Sequence, residues 1–420
     1  MPPIHVISKE TIKPSLPSPQ NSIKLSLLDQ IAPEIYTHLL LFYSTTSTDL
    51  QKLPQKLKIS LSKVLNQFYP LAGRIEVPVN GTLHINCNNK GAVFIEAYSD
   101  TDLNVFLLSR PINEFKELLP VKNSMFKHSE PLLLLQFTKF LNGYVLGVSI
   151  SHVNADGASM ALFLNRWAEI AHGEEEDRLT MPCFTSASTL FPPMPLKIVY
   201  QEPKEPLENS KVVIKRFCLS SSSIRRLRES AYKRSEKPSR VEAVSALVLR
   251  SVMRVTVTER MEKVLVSQVV NLRSRLKGLS DFSIGNLWTG GVRDIEREGR
   301  QEEVEKVLRE VVREVNEETV RKEAERSFTL KNEVKGEDDE KGGRKERLWI
   351  FSSWCRIPLY KSDFGLGEPE WIGCGIWNMK DVCILIDAKD GEGMEAWLWM
   401  ERDEMDRLEN DEEFLSFVSF

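Results

Sequence analysis

A histidine and a carboxylate four residues apart are the side chains of this sequence best suited to acid–base chemistry. His152 follows an apolar run over residues 144–150, and Asp156 and Gly157 directly precede a run of helical spacing over 158–170. A neutral imidazole can accept a proton near pH 7, which makes histidine the commonest general base. A buried, hydrogen-bonded histidine without a chemical role gives the same pattern, so the context has to decide.

Two apolar segments predict the hairpin that would position His152. Residues 132–140 and 144–151 are strand-like, and Asn142 and Gly143 lie between them. An Asn-Gly pair favours a tight turn because both residues tolerate a positive φ. His152 is therefore expected at the end of a rigid strand, where an accessible loop begins.

Length and composition limit the classes of protein that fit. The 420 residues exceed the usual size of one hydrophobic core, so we expect two domains. A net charge of −4 argues against a nucleic-acid partner. The six cysteines form no CxxC pair, which indicates reduced thiols.

No apolar run approaches the roughly 20 residues of a membrane helix, and the N-terminus does not resemble a signal peptide. We expect a cytoplasmic, monomeric protein with no membrane partner.

A proline-rich segment suggests where the chain divides. Six prolines fall within residues 181–210, and proline cannot donate hydrogen bonds to helices or sheets. We therefore expect a first domain over 1–180, a linker over 181–210 and a second domain over 211–420. Strands and helices are mixed without a strict βαβ alternation, which predicts an α+β fold with mixed sheets.

Several elements of the second half are predicted from their patterns. Helical spacing predicts one long charged helix over 293–328 and a terminal amphipathic helix over 401–417. The polar residues 331–347 predict an exposed loop. Residues 382–386 and 395–400 flank a turn and predict a hairpin.

Five segments, in order, resemble the plant BAHD acyltransferase family, and specifically its alkaloid- and terpenoid-alcohol branch. They are residues 69–74 (YPLAGR), 152–157 (HVNADG), 240–246 (RVEAVSA), 353–360 (SWCRIPLY) and 363–367 (DFGLG). The resemblance implies two chloramphenicol-acetyltransferase-like domains, each with a mixed β-sheet and flanking helices, and a channel between them. It also implies acyl-CoA, expected to be acetyl-CoA, as co-substrate, with no bound cofactor and no metal. The acceptor would be a small-molecule alcohol of plant specialised metabolism.

The same resemblance implies roles for the first motif. His152 would be the general base that removes a proton from the attacking alcohol. Asp156 could orient His152 as in a triad, but the family places this carboxylate away from the cavity, paired with an arginine. Arg273 is the expected partner, with Arg275 as the alternative. Gly157 would allow a tight turn beside the histidine.

The second motif is expected to be structural. Asp363 would cap or clamp its own loop, and Gly365 and Gly367 would allow the turn. The family usually has tryptophan where this chain has Leu366. That difference could loosen packing, but it removes no group that transfers protons.

Other positions have two interpretations each. Ser239 and Arg240, at a predicted helix start, would contact acyl-CoA or simply cap the helix. Asn286 would line the acceptor channel, and Trp288 would line it or belong to the core. His38 is a further candidate for the acceptor pocket. The remaining histidines are scattered and form no metal-binding cluster; they are His5, His84, His128 and His172.

Two alternative functions stay open. One is a hydroxycinnamoyl- or N-acyltransferase on the same scaffold. The other is a catalytically silent relative that binds metabolites or partner enzymes; the intact His152 argues against it.

Overall fold

A computed structural model of the chain describes residues 3–76, 81–109, 112–175, 178–195, 211–229, 237–256, 263–295, 300–333, 346–375 and 379–419. Its strands are β1 (His5–Ile12), β2 (Ser22–Lys24), β3 (Tyr36–Ser44), β4 (Arg74–Glu76), β5 (His84–Asn86), β6 (Ala92–Tyr98), β7 (Leu133–Phe140), β8 (Gly143–Ser151), β9 (Val212–Leu219), β10 (Lys263–Asn271), β11 (Trp288–Ile295), β12 (Glu346–Ser353), β13 (Trp371–Cys374), β14 (Val382–Asp387) and β15 (Met394–Glu401). Its helices are α1 (Leu27–Ile31), α2 (Leu53–Gln67), α3 (Leu103–Ser109), α4 (Gly157–His172), α5 (Ser186–Leu190), α6 (Ser221–Glu229), α7 (Arg240–Thr256), α8 (Gln301–Arg313), α9 (Glu317–Glu333), α10 (Arg402–Leu408) and α11 (Glu412–Leu415).

The first large sheet is mixed and carries the predicted hairpin. Its strand order is β1-β6-β7-β8-β3-β13. Strands β7 and β8 pair antiparallel through the turn at Asn142 and Gly143, so the hairpin is confirmed. Strand β6 pairs parallel with β7, whereas β3 pairs antiparallel with β8. Helices α2 and α4 cover one face, where the Trp167 indole of α4 donates to the Ser60 hydroxyl of α2 at 2.9 Å. This core fixes the end of β8, from which His152 emerges.

The second large sheet is also mixed and also has six strands. Its strand order is β11-β10-β12-β14-β15-β9, with β12 parallel to both β10 and β14. Strands β14 and β15 form the predicted antiparallel hairpin. One face packs against helices α6, α7, α8 and α10 in a core of its own. The other face, with Val382 and Ile384 from β14, packs toward the first half of the chain.

One short strand of the second half completes the first sheet. Strand β13 pairs antiparallel with β3, so the edge of the first sheet comes from residues 371–374. Its Trp371 stacks on Trp397 of β15, with ring centroids 5.9 Å apart. Both indoles donate to the carboxylate of Glu395, which also pairs with Arg216. The two halves are therefore joined by a strand and by buried aromatic contacts, besides the connection along the chain.

The long charged helix predicted over 293–328 is wrong at its start and is interrupted. Residues 288–295 form strand β11, in which two glycines hide the strand pattern. Helices α8 and α9 are separated at Asn316, whose side chain accepts from the Thr319 amide at 3.1 Å. Asparagine favours such a cap over a helix interior, because its side chain competes for backbone hydrogen bonds.

Three other predictions differ from the structure or lie partly outside it. The terminal segment forms two short helices, α10 and α11, because Asp411 caps a new start by accepting from the Phe414 amide. Residues 331–333 of the expected loop belong to α9 and residues 346–347 to β12, and 334–345 lie outside the described residues. The expected linker contains α5, and its residues 196–210 also lie outside the described residues.

All six cysteines are free thiols, as expected from the absence of a CxxC pair.

Candidate active site

His152 lies at the end of β8, partly exposed to a cavity between the two sheets. Its backbone N–H donates to the Ile35 carbonyl at 2.8 Å, which ties the start of the loop to the neighbouring segment. Its ring lies 6.1 Å from that of Trp288, centroid to centroid. The histidine is thus held by the first half of the chain and faces a side chain of the second.

Asn286 forms hydrogen bonds with both the imidazole ring and the backbone carbonyl of His152. Its Oδ1 lies 2.9 Å from His152 Nδ1, and its Nδ2 donates to the His152 carbonyl at 2.6 Å. Asn286 Oδ1 also accepts from the Trp288 indole at 3.1 Å. The Asn286 Nδ2 atom is used as a donor to the His152 carbonyl, and Oδ1 is the atom that faces the ring. An amide oxygen can only accept a hydrogen bond, so His152 Nδ1 carries the hydrogen. This tautomer leaves Nε2 without a proton and able to accept one.

Burial and charge act in opposite directions on His152. Burial lowers its pKa below the usual 6.5, because the charged imidazolium is poorly solvated there. The carboxylates of Asp156 and Asp29 and the hydrogen bond to Asn286 partly offset this. The net shift is downward, so the neutral, proton-accepting form persists at neutral pH.

Asp156 points away from the imidazole and pairs with Arg273. The guanidinium donates to Oδ2 at 2.7 Å and to Oδ1 at 2.9 Å, and both side chains are buried. Asp156 also caps α4 by accepting from the Ser159 amide at 2.8 Å. Burial alone would raise the pKa of Asp156, but Arg273 and the Ser159 hydrogen bonds outweigh it and lower the pKa. Arg275 instead donates to the Val312 carbonyl.

The Asp156–Arg273 pair also holds the segment that carries Asn286. Arg273 donates to the carbonyls of Ser283 and Gly285, and Asp156 accepts from the Leu287 amide at 3.1 Å. The residues before and after Asn286 are therefore bound to the same ion pair. In this way a pair that does not touch the imidazole positions the amide that does.

The cavity beside His152 has a volume of about 350 Å³ and lies between the two halves of the chain. Alternate residues of β10 and β14 line it, as expected for one face of a sheet, together with Ile350, Ser352 and Ser353 of β12. Its lining is mainly apolar with a few hydroxyls, and among the described residues it contains no lysine or arginine. Glu323 of α9 is its charged residue besides the paired Asp156. The lining includes Leu28, Ile31, Thr37, His152, Ser267, Asn271, Trp288, Val320, Glu323, Ser352, Trp354 and Ile384.

Gly157 lies where α4 meets this cavity. A Cβ atom on Gly157 would lie 3.2 Å from Cε2 of Trp354, which is closer than carbon atoms normally pack. Trp354 itself lines the cavity. Gly157 has no positive φ, so the indole packed against it explains the glycine, and the expected tight turn does not.

The second motif lies outside the cavity. The Asp363 carboxylate accepts from the amides of Gly365 and Gly367 at 2.7 and 3.0 Å, and both glycines have φ near +100°. Only glycine adopts that conformation readily. Burial works to raise the pKa of Asp363, but these hydrogen bonds and His172 lower it overall. Leu366 packs against the edge of the first core.

The structure places four candidate residues away from the cavity lining. His38 is buried on the opposite face of β3 from Thr37, and its Nδ1 lies 2.8 Å from the Ser149 hydroxyl. Burial lowers the pKa of His38 to about 3.

Asn286 is fully buried next to His152. It therefore does not line the acceptor channel, contrary to the expectation from the sequence. Ser239 caps α7, and Arg240 binds Asp387 and two carbonyls of the β14–β15 turn.

One residue of the site was missed from the sequence. Asp29 of α1 is buried, and its Oδ1 accepts from both the backbone and the side-chain amide of Asn286, at 2.7 and 3.0 Å. Its only sequence signal is an acidic residue directly after two leucines, which the start of a short helix explains as well. The contact spans 257 positions, so local patterns cannot reveal it.

Comparisons with known proteins agree with this geometry. The model of the transferase family matches residues 2–415. A limonoid 21-O-acetyltransferase of Citrus sinensis is 30% identical, with 99% of this chain and 98% of the relative covered. A stemmadenine O-acetyltransferase of Catharanthus roseus is 32% identical over 99% and 98% of the two chains. The crystal structure of vinorine synthase matches with a TM-score of 0.81 and 32% identity, covering 99% of each chain.

The fold and the matches together identify the class of protein. The two mixed sheets with flanking helices form the chloramphenicol-acetyltransferase-like fold that the resemblance implied. Among the described residues no helix is both long and apolar enough to cross a membrane. This chain belongs to the plant BAHD transferase family and is an acyl-CoA-dependent acyltransferase.

Proposed function

We propose that this enzyme transfers an acetyl group from acetyl-CoA to a hydroxyl of a plant alkaloid or terpenoid, with His152 as general base. The observation that carries the proposal is the Asn286–His152 hydrogen bond at 2.9 Å. It leaves Nε2 unprotonated at the wall of a cavity that both halves of the chain line.

The chemistry follows from that tautomer. His152 Nε2 takes the proton of the acceptor hydroxyl as its oxygen attacks the thioester carbonyl carbon. The tetrahedral intermediate then collapses, the C–S bond breaks, and the CoA sulfur leaves with the proton from the imidazolium. A positioned base of this kind typically contributes about 10²–10⁴-fold to the rate. No covalent enzyme intermediate is needed.

The cavity lining supports an apolar acceptor without negative charge. Its walls are mainly apolar, and Glu323 supplies a carboxylate where no described lysine or arginine faces it. An anionic acceptor would be repelled there, whereas a neutral or cationic one would not. Two relatives are named as acetyltransferases of limonoids and of stemmadenine. These observations favour an alkaloid or terpenoid alcohol over the anionic acceptors open to a hydroxycinnamoyltransferase.

A basic groove supports a place for the phosphates of acyl-CoA. Ser239, at the N-terminus of α7, borders it together with one carboxylate, Glu242, which pairs with Arg309 at 3.5 Å, and with four cations, which are Arg228, Lys237, Arg309 and Arg313. A helix N-terminus and clustered cations both favour phosphate groups. Arg240 is engaged with Asp387 and the β14–β15 turn, so its contribution is to hold α7 against the second sheet. We assign the nucleotide end of acyl-CoA to this groove.

We also regard the enzyme as a cytoplasmic monomer with domains over 1–180 and 211–420, although residues 371–374 of the second domain pair with the first sheet.

Turnover is the direct test. The pure protein is mixed with acetyl-CoA and a panel of alkaloid and terpenoid alcohols, together with amines and anionic alcohols, and free thiol release is followed. We expect release only with neutral or cationic alcohols, with the acetylated product seen by mass spectrometry. Preferred turnover of amines or of hydroxycinnamoyl-CoA would favour the alternative transferase. No turnover with any pair of substrates would favour a silent relative.

Removing the imidazole tests its role. His152→Ala is expected to lower kcat by about 10²–10⁴-fold, the usual contribution of a general base. The fold should persist, because the backbone contacts of residue 152 with Ile35 and Asn286 remain. His5→Ala, on the exposed strand β1, is the matched control and should keep full activity. Near-normal turnover of a folded His152→Ala protein would remove His152 from the mechanism.

A further inference from the structure

Asp29 is a buried carboxylate that the proposed reaction does not use. Its Oδ2 accepts from the Ser26 amide at 2.9 Å and from the Ser26 hydroxyl at 2.6 Å. Its Oδ1 accepts from the backbone and side-chain amides of Asn286 at 2.7 and 3.0 Å. Burial raises the pKa of Asp29, and these four hydrogen bonds, each donated to a carboxylate oxygen, work against that rise by favouring the ionised form. None of these partners carries a positive charge.

These contacts determine which way the Asn286 amide points. Nδ2 donates to Asp29 and to the His152 carbonyl, while Oδ1 accepts from the Trp288 indole. Rotating the amide by 180° would place its oxygen against the Asp29 carboxylate and its NH₂ group against the indole N–H. Both replaced contacts would be repulsive in a buried site, where unmatched polar groups are costly. The Asp29 carboxylate, the His152 carbonyl and the Trp288 indole therefore all favour the orientation seen, and Asp29 is the one ionisable group among these three contacts.

We infer that Asp29 is a positioning residue for His152, acting through Asn286. This inference rests on the proposed role of His152 as general base. The Asp29 carboxylate holds Asn286 Oδ1 toward Nδ1 of the imidazole, which keeps the proton on Nδ1 and the lone pair on Nε2. Asp29–Asn286–His152 thus does the work that a directly bonded carboxylate does in a hydrolase triad.

Charge supports the same assignment. Asp156 is closer to His152 along the chain, but Arg273 compensates its charge at 2.7 Å. Among the described residues no cation pairs with Asp29: Lys331 of α9 donates to the Gln30 and Ala32 carbonyls and pairs with Glu34. When the imidazole takes the substrate proton, the uncompensated carboxylate two hydrogen bonds away stabilises the imidazolium.

The test compares Asp29→Asn with a matched variant elsewhere. Asp29→Asn keeps the side-chain size and removes the charge. Asp411→Asn makes the same change at the cap of α11, on the far side of the second sheet, where Asp411 pairs with Arg254. Both variants should lose stability, measured by thermal unfolding. Only Asp29→Asn should lose kcat, by about 10- to 100-fold, with both KM values within about twofold of wild type.

The pH profile separates positioning from a structural defect. Without the carboxylate, the imidazolium is less stabilised, so the acid limb of kcat/KM should move to lower pH in Asp29→Asn. Wild-type kcat and an unmoved acid limb in folded Asp29→Asn would overturn the inference. An equal loss of kcat in Asp411→Asn would overturn it as well. If His152→Ala is inactive in the same assay, the proposed function stands in either case.

A further measurement needs no variant of Asp29. In ¹⁵N-histidine-labelled wild-type protein, the His152 resonances are those absent from His152→Ala. We expect chemical shifts of a protonated Nδ1 and an unprotonated Nε2. The opposite tautomer would overturn the inference even if Asp29→Asn does not fold.

Discussion

Arg273 and Asp156 form a bidentate ion pair, with N–O distances of 2.7 and 2.9 Å, in the buried contact between the two halves of the chain. The two residues are 117 positions apart in the sequence. The pair caps α4 on one side and holds residues 283–287 on the other. It thereby brings Asn286 to the imidazole. We regard the carboxylate of the first motif as an anchor for the site, which does not take part in proton transfer.

Asp156→Asn is expected to damage stability as well as rate. The change leaves the Arg273 guanidinium buried without its counter-charge, which typically costs about 3–5 kcal/mol. Urea unfolding should show this loss, and soluble yield should fall. Asp281→Asn makes the same change at an exposed position of the neighbouring segment and should be neutral. A fully stable Asp156→Asn protein with only a rate defect would favour the triad interpretation instead.

The same pair predicts how stability depends on pH. The pKa of Asp156 in the folded protein lies below its usual value of 3.8, mainly because Arg273 outweighs the effect of burial. A lowered carboxyl pKa adds stability above the unfolded-state value, and that stability is lost as pH falls through the folded value. Below about pH 4, the unfolding free energy of wild type should therefore fall more steeply than that of Asp156→Asn. Parallel curves for the two proteins would contradict the prediction.

Activity should persist below the usual titration range of histidine. Burial lowers the pKa of His152 below 6.5, so the base stays neutral at that pH. We expect kcat/KM to be flat from about pH 8 to 6.5 and to fall only at lower pH. The measurement is kcat/KM in buffers of constant ionic strength, with the substrates' own titrations subtracted. An acid limb at or above pH 7 would show that the neighbouring carboxylates outweigh burial.

Local patterns predict the elements around His152 but not their assembly. The β7–β8 hairpin follows from Asn142–Gly143 and from apolar strands close together in the chain. Strand β13 could not be predicted in the first sheet, because four residues carry little pattern and their partner lies over 300 positions away. The Asp156–Arg273 pair is predicted by the family resemblance and by no local pattern. The Asp29–Asn286 contact had no such guide, because only the folded chain brings α1 to residue 286.

Gly157→Ala should weaken binding of the acceptor more than it lowers stability. The new Cβ would lie 3.2 Å from Cε2 of Trp354, so the indole must move by a few tenths of an ångström into the cavity. We expect a severalfold rise in the KM of the acceptor, with kcat less affected. Gly157→Ala/Trp354→Phe, which makes room beside the new methyl group, should recover part of the loss. An unchanged KM in the single variant would show that Trp354 can shift away from the new methyl group without affecting binding of the acceptor.

Asp363→Ala should reduce stability without touching the chemistry. The substitution removes the acceptor of two amide hydrogen bonds, from Gly365 and Gly367, which hold the loop in its left-handed turns. Losing such a capping interaction typically costs about 0.5–2 kcal/mol, and the partial exposure of the carboxylate favours the lower end. None of residues 363–367 lines the cavity, so kcat of the folded protein should stay within about twofold of wild type. Thermal unfolding and single-turnover acetyl transfer on the same preparation separate the two effects. A tenfold loss of the transfer step at unchanged stability would give Asp363 a part in catalysis, whereas its hydrogen bonds within the loop predict a loss of stability alone.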